Sequence, residues 1–371
     1  MIVGVPKEIK NEERRVGMVP NSVRELVSHG HDVVVEHNAG SGVGADDEAY
    51  VRAGASIADN PADIFAAANM VIKVKEPQAS ERAMLREGQI LFTYLHLAPD
   101  VPQTTELLDS GATAIAYETV TDASGRLPLL TPMSQVAGRM SIQAGAHCLE
   151  SAVGGSGVLL GGVPGVGSAK VVVIGGGVVG LNAIEMAIGL GASVTVLDRD
   201  LGVLDELSHR FGAALETAYS TRASLEELVV NADLVIGAVL VAGAAAPKLV
   251  SAEMIKNMRN GSVVVDVAID QGGCFETSKA TTHAEPIYVV DGVVHYCVAN
   301  MPGAVPVTST AALNNATLPY ALALADKGLA ALNDDPGFLE GLNVHRGMLT
   351  YGPVGEAQGL EVIDPAVALA S

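Results

Sequence analysis

The chain has 371 residues and a formal net charge of -20, and it is 49% hydrophobic with 4% aromatics and no Trp. That length points to two or three compact units, and a core of Val, Ala, Leu and Ile suits parallel sheets covered by helices. The acidity repels nucleic acid and anionic membranes, which are held by Lys/Arg patches, and excludes both as expected partners.

From the first residue onward, short apolar runs alternate with segments of helical period, the pattern of an α/β fold. Met1 to Pro6 runs straight into a strand pattern without the basic-then-apolar layout of a secretory signal, so a cytoplasmic protein is expected. The first series predicts strands at 2–5, 33–35, 70–74, 90–94 and 113–116, with a helix over 21–28. Residues 133–148 are expected to form one long helix, and 154–167 a Gly-rich connection carrying Pro164.

A second series of very apolar strands is predicted at 171–174, 194–197, 234–238 and 263–267, each buried on both faces. Residues 309–332 have helical character and carry the chain back to the first domain. Boundaries fall near Pro128 and Pro306. Residues 1–128 and 307–371 then make a substrate domain, and 129–306 a nucleotide-binding domain. The expected fold class is α/β, with two Rossmann-like domains of parallel sheet. One is inserted into the other, with long helices at the crossings and an interdomain cleft. No run of eighteen apolar residues suggests a membrane span. Cys148, Cys274 and Cys297 are odd in number, lack metal-ligand spacing and read as reduced thiols.

The run Val171-Val-Val-Ile-Gly175-Gly-Gly177-Val178-Val179-Gly180 is a buried strand leading into GxGxxG and then a helical segment. Gly175 permits the tight turn, Gly177 lets backbone approach a pyrophosphate, and Gly180 lets helix pack on strand. In a chain with 41 glycines the motif alone is weak, but Asp198 strengthens it by ending the next strand 18 residues after Gly180. A carboxylate there accepts from the ribose hydroxyls and repels a 2′-phosphate, so NAD is favoured over NADP, an effect that Arg199 weakens slightly.

Arg15, Lys75, His96 and Asp270 follow predicted strands, where open α/β sheets bind ligands. Each also has a plain structural reading. Arg15 beside Glu12 and Glu13 is a solvated charge, Lys75 beside Glu76 an exposed pair, His96 a structural histidine, and Asp270 before Gln271-Gly-Gly a turn residue.

Longer runs carry a family resemblance. They are Val3-Gly-Val-Pro-Lys-Glu-Ile-Lys-Asn-Glu-Glu-Arg-Arg-Val16, Lys73-Val-Lys-Glu-Pro77, Leu95-His-Leu-Ala98, Tyr117-Glu-Thr119, Pro132-Met-Ser-Gln-Val-Ala-Gly-Arg139, Asp266-Val-Ala-Ile-Asp-Gln-Gly-Gly273 and Val298-Ala-Asn-Met-Pro-Gly303. Together they resemble bacterial alanine dehydrogenase over nearly the whole chain. The resemblance implies reversible oxidative deamination of L-alanine to pyruvate and ammonium with NAD, in a homohexamer. It implies that Arg15 and Lys75 bind the substrate carboxylate or carbonyl, and that His96 and Asp270 transfer protons. It places Ser134, Asp198, Val239 and Asn300 along NAD, and with them Val178, Val179, Ser220, Leu240, Val267, Ala268, Ile269, Asp270, Val298, Ala299 and Met301.

The residue chemistry agrees with these roles. A guanidinium fork can fix a carboxylate through paired hydrogen bonds, an imidazole titrates near neutrality, and a carboxylate can serve as general base. No metal is expected, because residues 321–327 offer only Asp326 where some relatives carry a cation-binding Glu/His pair. Competing readings are the NAD-binding subunit of a proton-pumping transhydrogenase, a saccharopine-forming lysine dehydrogenase, and a non-catalytic NAD sensor. The sensor would keep Gly175 to Asp198 and need no proton-handling residues.

Overall fold

The computed structural model describes residues 1–239 and 246–370, so Leu240 lies outside the described residues. The chain divides into two units, Met1–Met133 with Val305–Ser371, and Ser134–Ala304.

The first unit opens with β1 (Ile2–Val5), β2 (Asp32–Glu36), β3 (Ser56–Ala58), β4 (Met70–Ile72), β5 (Ile90–Thr93) and β6 (Thr113–Ala116). Helices alternate with these strands, so each neighbouring pair runs parallel. The crossover helices have ordinary starts: Asn60 caps Pro61–Ala67 by accepting from Asp63 N–H, and Asp100 caps Val101–Ser110 by accepting from Gln103 N–H. β4 stops two residues short of the predicted end, because Glu8 takes the Val74 N–H at 2.6 Å and draws it off the ladder.

The second unit holds β7 (Lys170–Ile174), β8 (Ser193–Asp198), β9 (Leu215–Tyr219), β10 (Leu234–Gly237), β11 (Val263–Asp266), β12 (Ile287–Val290) and β13 (Val293–Tyr296). Its sheet order is β12-β13-β11-β10-β7-β8-β9, parallel except for the β12–β13 hairpin. Asp291 and Gly292, at φ 49 and 79, make the two-residue turn of that hairpin. The helix predicted at 133–148 runs Thr131–Cys148.

The returning segment forms a helix over Pro306–Lys327, shorter than predicted because the chain turns at Gly328, and a separate short helix follows at Ala330–Asp334. It then adds β14 (Leu342–His345) and β15 (Met348–Leu349), giving the first sheet the order β15-β14-β6-β5-β4-β1-β2-β3. These two strands are antiparallel, which the expectation of purely parallel sheets did not include. Among the described residues no helix is long and apolar enough to cross a membrane.

Candidate active site

In the second unit the strand order reverses at β7, with β8 and β9 on one side and β10, β11 and β13 on the other. Such a reversal opens a crevice at the carboxyl ends of the strands. Gly175 leaves β7 at φ 99, and a Cβ there would lie 3.0 Å from the carbonyl oxygen of Ala238 at the end of β10. Gly180 passes closer still, with its Cβ position 1.8 Å from the Gly175 carbonyl oxygen, so only glycine lets the helix Val178–Gly189 sit so near its strand.

Gly177 caps that helix, and a Cβ there would meet nothing within 4 Å. The turn thus presents open space at a helix N-terminus, where an anion is favoured. Asp198 braces the turn: its Oδ2 accepts Gly176 N–H at 2.7 Å and its Oδ1 accepts Asp200 N–H at 2.9 Å. An open cradle with a half-buried carboxylate at the end of the next strand fits a dinucleotide.

The other cofactor candidates of this unit gather on the same sheet edge. Ser220 follows β9 and donates its N–H to the Asp198 carbonyl at 2.9 Å, and Val239 follows β10. Val267 to Asp270 lie in a 3-10 turn after β11, and Val298 to Met301 follow β13. Asp270 is exposed, and its Oδ2 lies 3.4 Å from Asn300 N, whose residue is held at φ 59. Ser134 is half-buried on the helix Thr131–Cys148, whose Gly138 packs against the Val179 carbonyl in the first turn of the helix Val178–Gly189.

One residue that sequence reasoning missed here is Asp266. Its buried carboxylate accepts N–H groups from Ala268, Cys274 and Phe275 and the hydroxyl of Ser278, folding the turn that presents Asp270. Burial raises its pKa, with the Ser278 and backbone hydrogen bonds opposing. An acid closing a buried strand was the available signal.

In the first unit the order reverses at β1, with β2 and β3 on one side and β4, β5 and β6 on the other. Arg15, Lys75 and His96 follow β1, β4 and β5, three adjacent parallel strands, and so emerge at one edge. Arg15 is 2% exposed, which overturns the solvated-charge reading. Glu13 holds it in a fork, Nε to Oε1 at 2.7 Å and Nη2 to Oε2 at 2.6 Å, while Nη1 faces the Met133 sulfur at 3.1 Å. Burial works against the guanidinium charge, and Glu13 more than offsets it, so the pKa rises above its ordinary value.

Lys75 is buried too, so it does not form the exposed pair with Glu76 that was the alternative. Burial alone would raise Glu76, but Lys75 and Lys10 bring its carboxyl below the ordinary range. Beneath them lies a buried cluster in which Lys73 Nζ meets Glu8 at 3.1 Å and Glu81 at 2.7 Å. Burial raises Glu8, with Lys73 and the Val74 amide opposing. A cavity of about 290 Å³ reaches Arg15 along with Lys7, Glu8 and Ser41, but neither Lys75 nor His96 lines it.

His96 is exposed and sits at φ 50, a conformation costly for a residue with a Cβ. Glu118 holds it there, accepting His96 N–H at 2.6 Å and Leu95 N–H at 3.0 Å, with the His96 Nδ1 at 3.7 Å. The imidazole stacks on Tyr94 at 5.8 Å between centroids and 3° between planes. Tyr94 in turn donates to the Leu129 carbonyl at 2.6 Å. Glu8, Glu13, Tyr94 and Glu118 were not singled out from sequence, though Glu13 lies two residues from Arg15 and Tyr94 two from His96.

The alanine dehydrogenase/PNT N-terminal domain matches residues 4–137, and the alanine dehydrogenase/PNT C-terminal domain matches residues 141–352. A protein of Halomonas elongata named alanine dehydrogenase is 61% identical over 367 residues, covering 99% of each chain. A solved structure named L-alanine dehydrogenase superposes with a TM-score of 0.93 at 54% identity, over 96% of this chain and 99% of that one. The structure of a transhydrogenase from Sinorhizobium meliloti gives 0.81 at 26% identity, over 95% and 99%.

Proposed function

The chain belongs to the alanine dehydrogenase/PNT family, and from that membership we propose that it catalyses reversible oxidative deamination of L-alanine to pyruvate and ammonium, with NAD as hydride acceptor. It is an oxidoreductase. The observation that carries this reading is likeness over the full chain at 61% identity to a protein of that name, and the transhydrogenase reading draws on only 26%. Assembly as a homohexamer in the cytoplasm is part of the same proposal.

In this reading Gly175 to Gly180 hold the pyrophosphate, Asp198 the adenosine ribose, and Ser134, Ser220, Val239, Val267 to Asp270 and Val298 to Met301 line the rest of the dinucleotide. Leu240 is assigned with them, outside the described residues. When bound, NAD supplies the acceptor for the hydride leaving the alanine Cα. Arg15, steadied by the Glu13 fork, and Lys75 take the substrate carboxylate and carbonyl. Asp270 draws a proton from the water that attacks the iminium carbon. His96 handles the proton at the resulting carbinolamine oxygen.

The test is an NADH absorbance assay with L-alanine and NAD, repeated with His96→Ala and Asp270→Asn. Each variant is expected to lose roughly 10² to 10⁴ in turnover. Undiminished turnover in both would refute their roles. Deamination releases a proton along with ammonium, so the same assay should favour pyruvate formation as the pH rises. An optimum for deamination below neutrality would count against the reaction.

A further inference from the structure

Glu8 sits in the loop after β1, between the strand and Arg15, and its side chain is 1% exposed. Its Oε1 accepts Val74 N–H at 2.6 Å and lies 3.4 Å from Lys75 N, while its Oε2 meets Lys73 Nζ at 3.1 Å. All three partners belong to the segment after β4, the strand beside β1 at the reversal of the sheet. Lys73 is anchored from the other side by Glu81, and outside the buried cluster Lys10 pairs with Glu76 between the same two loops.

If stability alone were at issue, an apolar trio would fill this space as well or better, since buried ion pairs seldom repay their desolvation. What the carboxylate does that an apolar group cannot is accept the Val74 N–H, which would otherwise be buried without a partner. The consequence is geometric: the backbone that carries Lys75 is tied to the loop that carries Arg15.

We propose that Glu8 is a positioning residue for the amino-acid site, its buried carboxylate fastening the Lys75 segment to the Arg15 loop so that ammonium and guanidinium meet one substrate carboxylate together. The proposal rests on the function argued above. Glu8 lines the same cavity as Arg15, and its role here is to act through the two loops it fastens.

The experiment compares the full chain with Glu8→Gln, which keeps an oxygen acceptor but removes the charge facing Lys73, and with the milder Glu8→Asp, which keeps the charge and retracts it by one methylene. Two quantities are read: amide hydrogen exchange without substrate, in peptides covering 7–16 and 73–76, and the steady-state constants for L-alanine beside the affinity for NADH. Glu8→Gln is expected to speed exchange in those two peptides only and to raise the KM for L-alanine about tenfold, the size of a lost charge-assisted hydrogen bond. NADH affinity should stay within about twofold, since the dinucleotide candidates lie in the other unit. Glu8→Asp should fall between the two proteins.

An unchanged KM, with kcat and thermal midpoint falling together, would reduce Glu8 to a purely structural role and overturn the proposal. Unchanged exchange in both peptides would overturn it as well. If the unaltered chain fails to oxidise alanine, the functional reading fails instead, and the exchange result still decides whether the clamp exists.

Discussion

A guanidinium with 1% of its side chain exposed requires an acid within reach, and Glu13, at 0%, supplies it through two hydrogen bonds. Removing one member of such a pair leaves the other charged and stranded. Arg15→Met is therefore expected to lower stability by about 3–5 kcal/mol, whereas the double change Arg15→Met with Glu13→Leu should recover most of that loss. Urea unfolding of both proteins beside the unaltered chain checks this. Equal losses in the single and double variants would show that Glu13 does not depend on Arg15. Either variant should lack alanine turnover, which separates the stabilising role of the fork from its use in binding.

At the scale of elements, the glycine turn divides into positions that build it and a position that leaves room. Ala at 180 would drive its Cβ into the Gly175 carbonyl, a backbone atom that cannot swing away, whereas Ala at 177 would meet no atom of the chain. Gly180→Ala should cost about 1–3 kcal/mol of stability and weaken NADH binding. Gly177→Ala should leave the thermal midpoint unchanged while still weakening NADH binding. Normal binding by Gly177→Ala would mean that the pyrophosphate lies elsewhere. Such turns were legible because β7, β10 and β11 are apolar runs buried on both faces, with Gly175 directly after β7, Gly237 closing β10 and Asp266 closing β11. By contrast β3 is short and β9 largely exposed, so neither forms an apolar run, and the Asp291-Gly292 turn of the β12–β13 hairpin passed unread. Arg15 was visible as a residue, but its burial was not, because the sequence shows two glutamates beside it and does not show which one folds back. His96 gave no hint of its left-handed backbone, since the acid that holds it, Glu118, comes 22 residues later.

Across the whole molecule, 42 acidic residues face 22 basic ones. Several cations are buried against acids, among them Arg15 and Lys73, so they do little to lighten the field felt outside. A negative potential of this kind concentrates cations near the surface and depletes anions, and it fades as the Debye length falls from about 30 Å at 0.01 M salt to about 10 Å at 0.1 M. The proposed reaction has substrates of both signs, which makes the effect readable within one assay. Raising KCl from about 0.02 M to about 0.5 M should raise the KM for ammonium and lower the KM for pyruvate, each a few-fold. The KM for L-alanine, a zwitterion without net charge, should barely move. Parallel shifts of ammonium and pyruvate would instead indicate a general effect of salt on the enzyme. Opposite shifts would tie the net charge of the whole chain to how well it captures its two oppositely charged substrates.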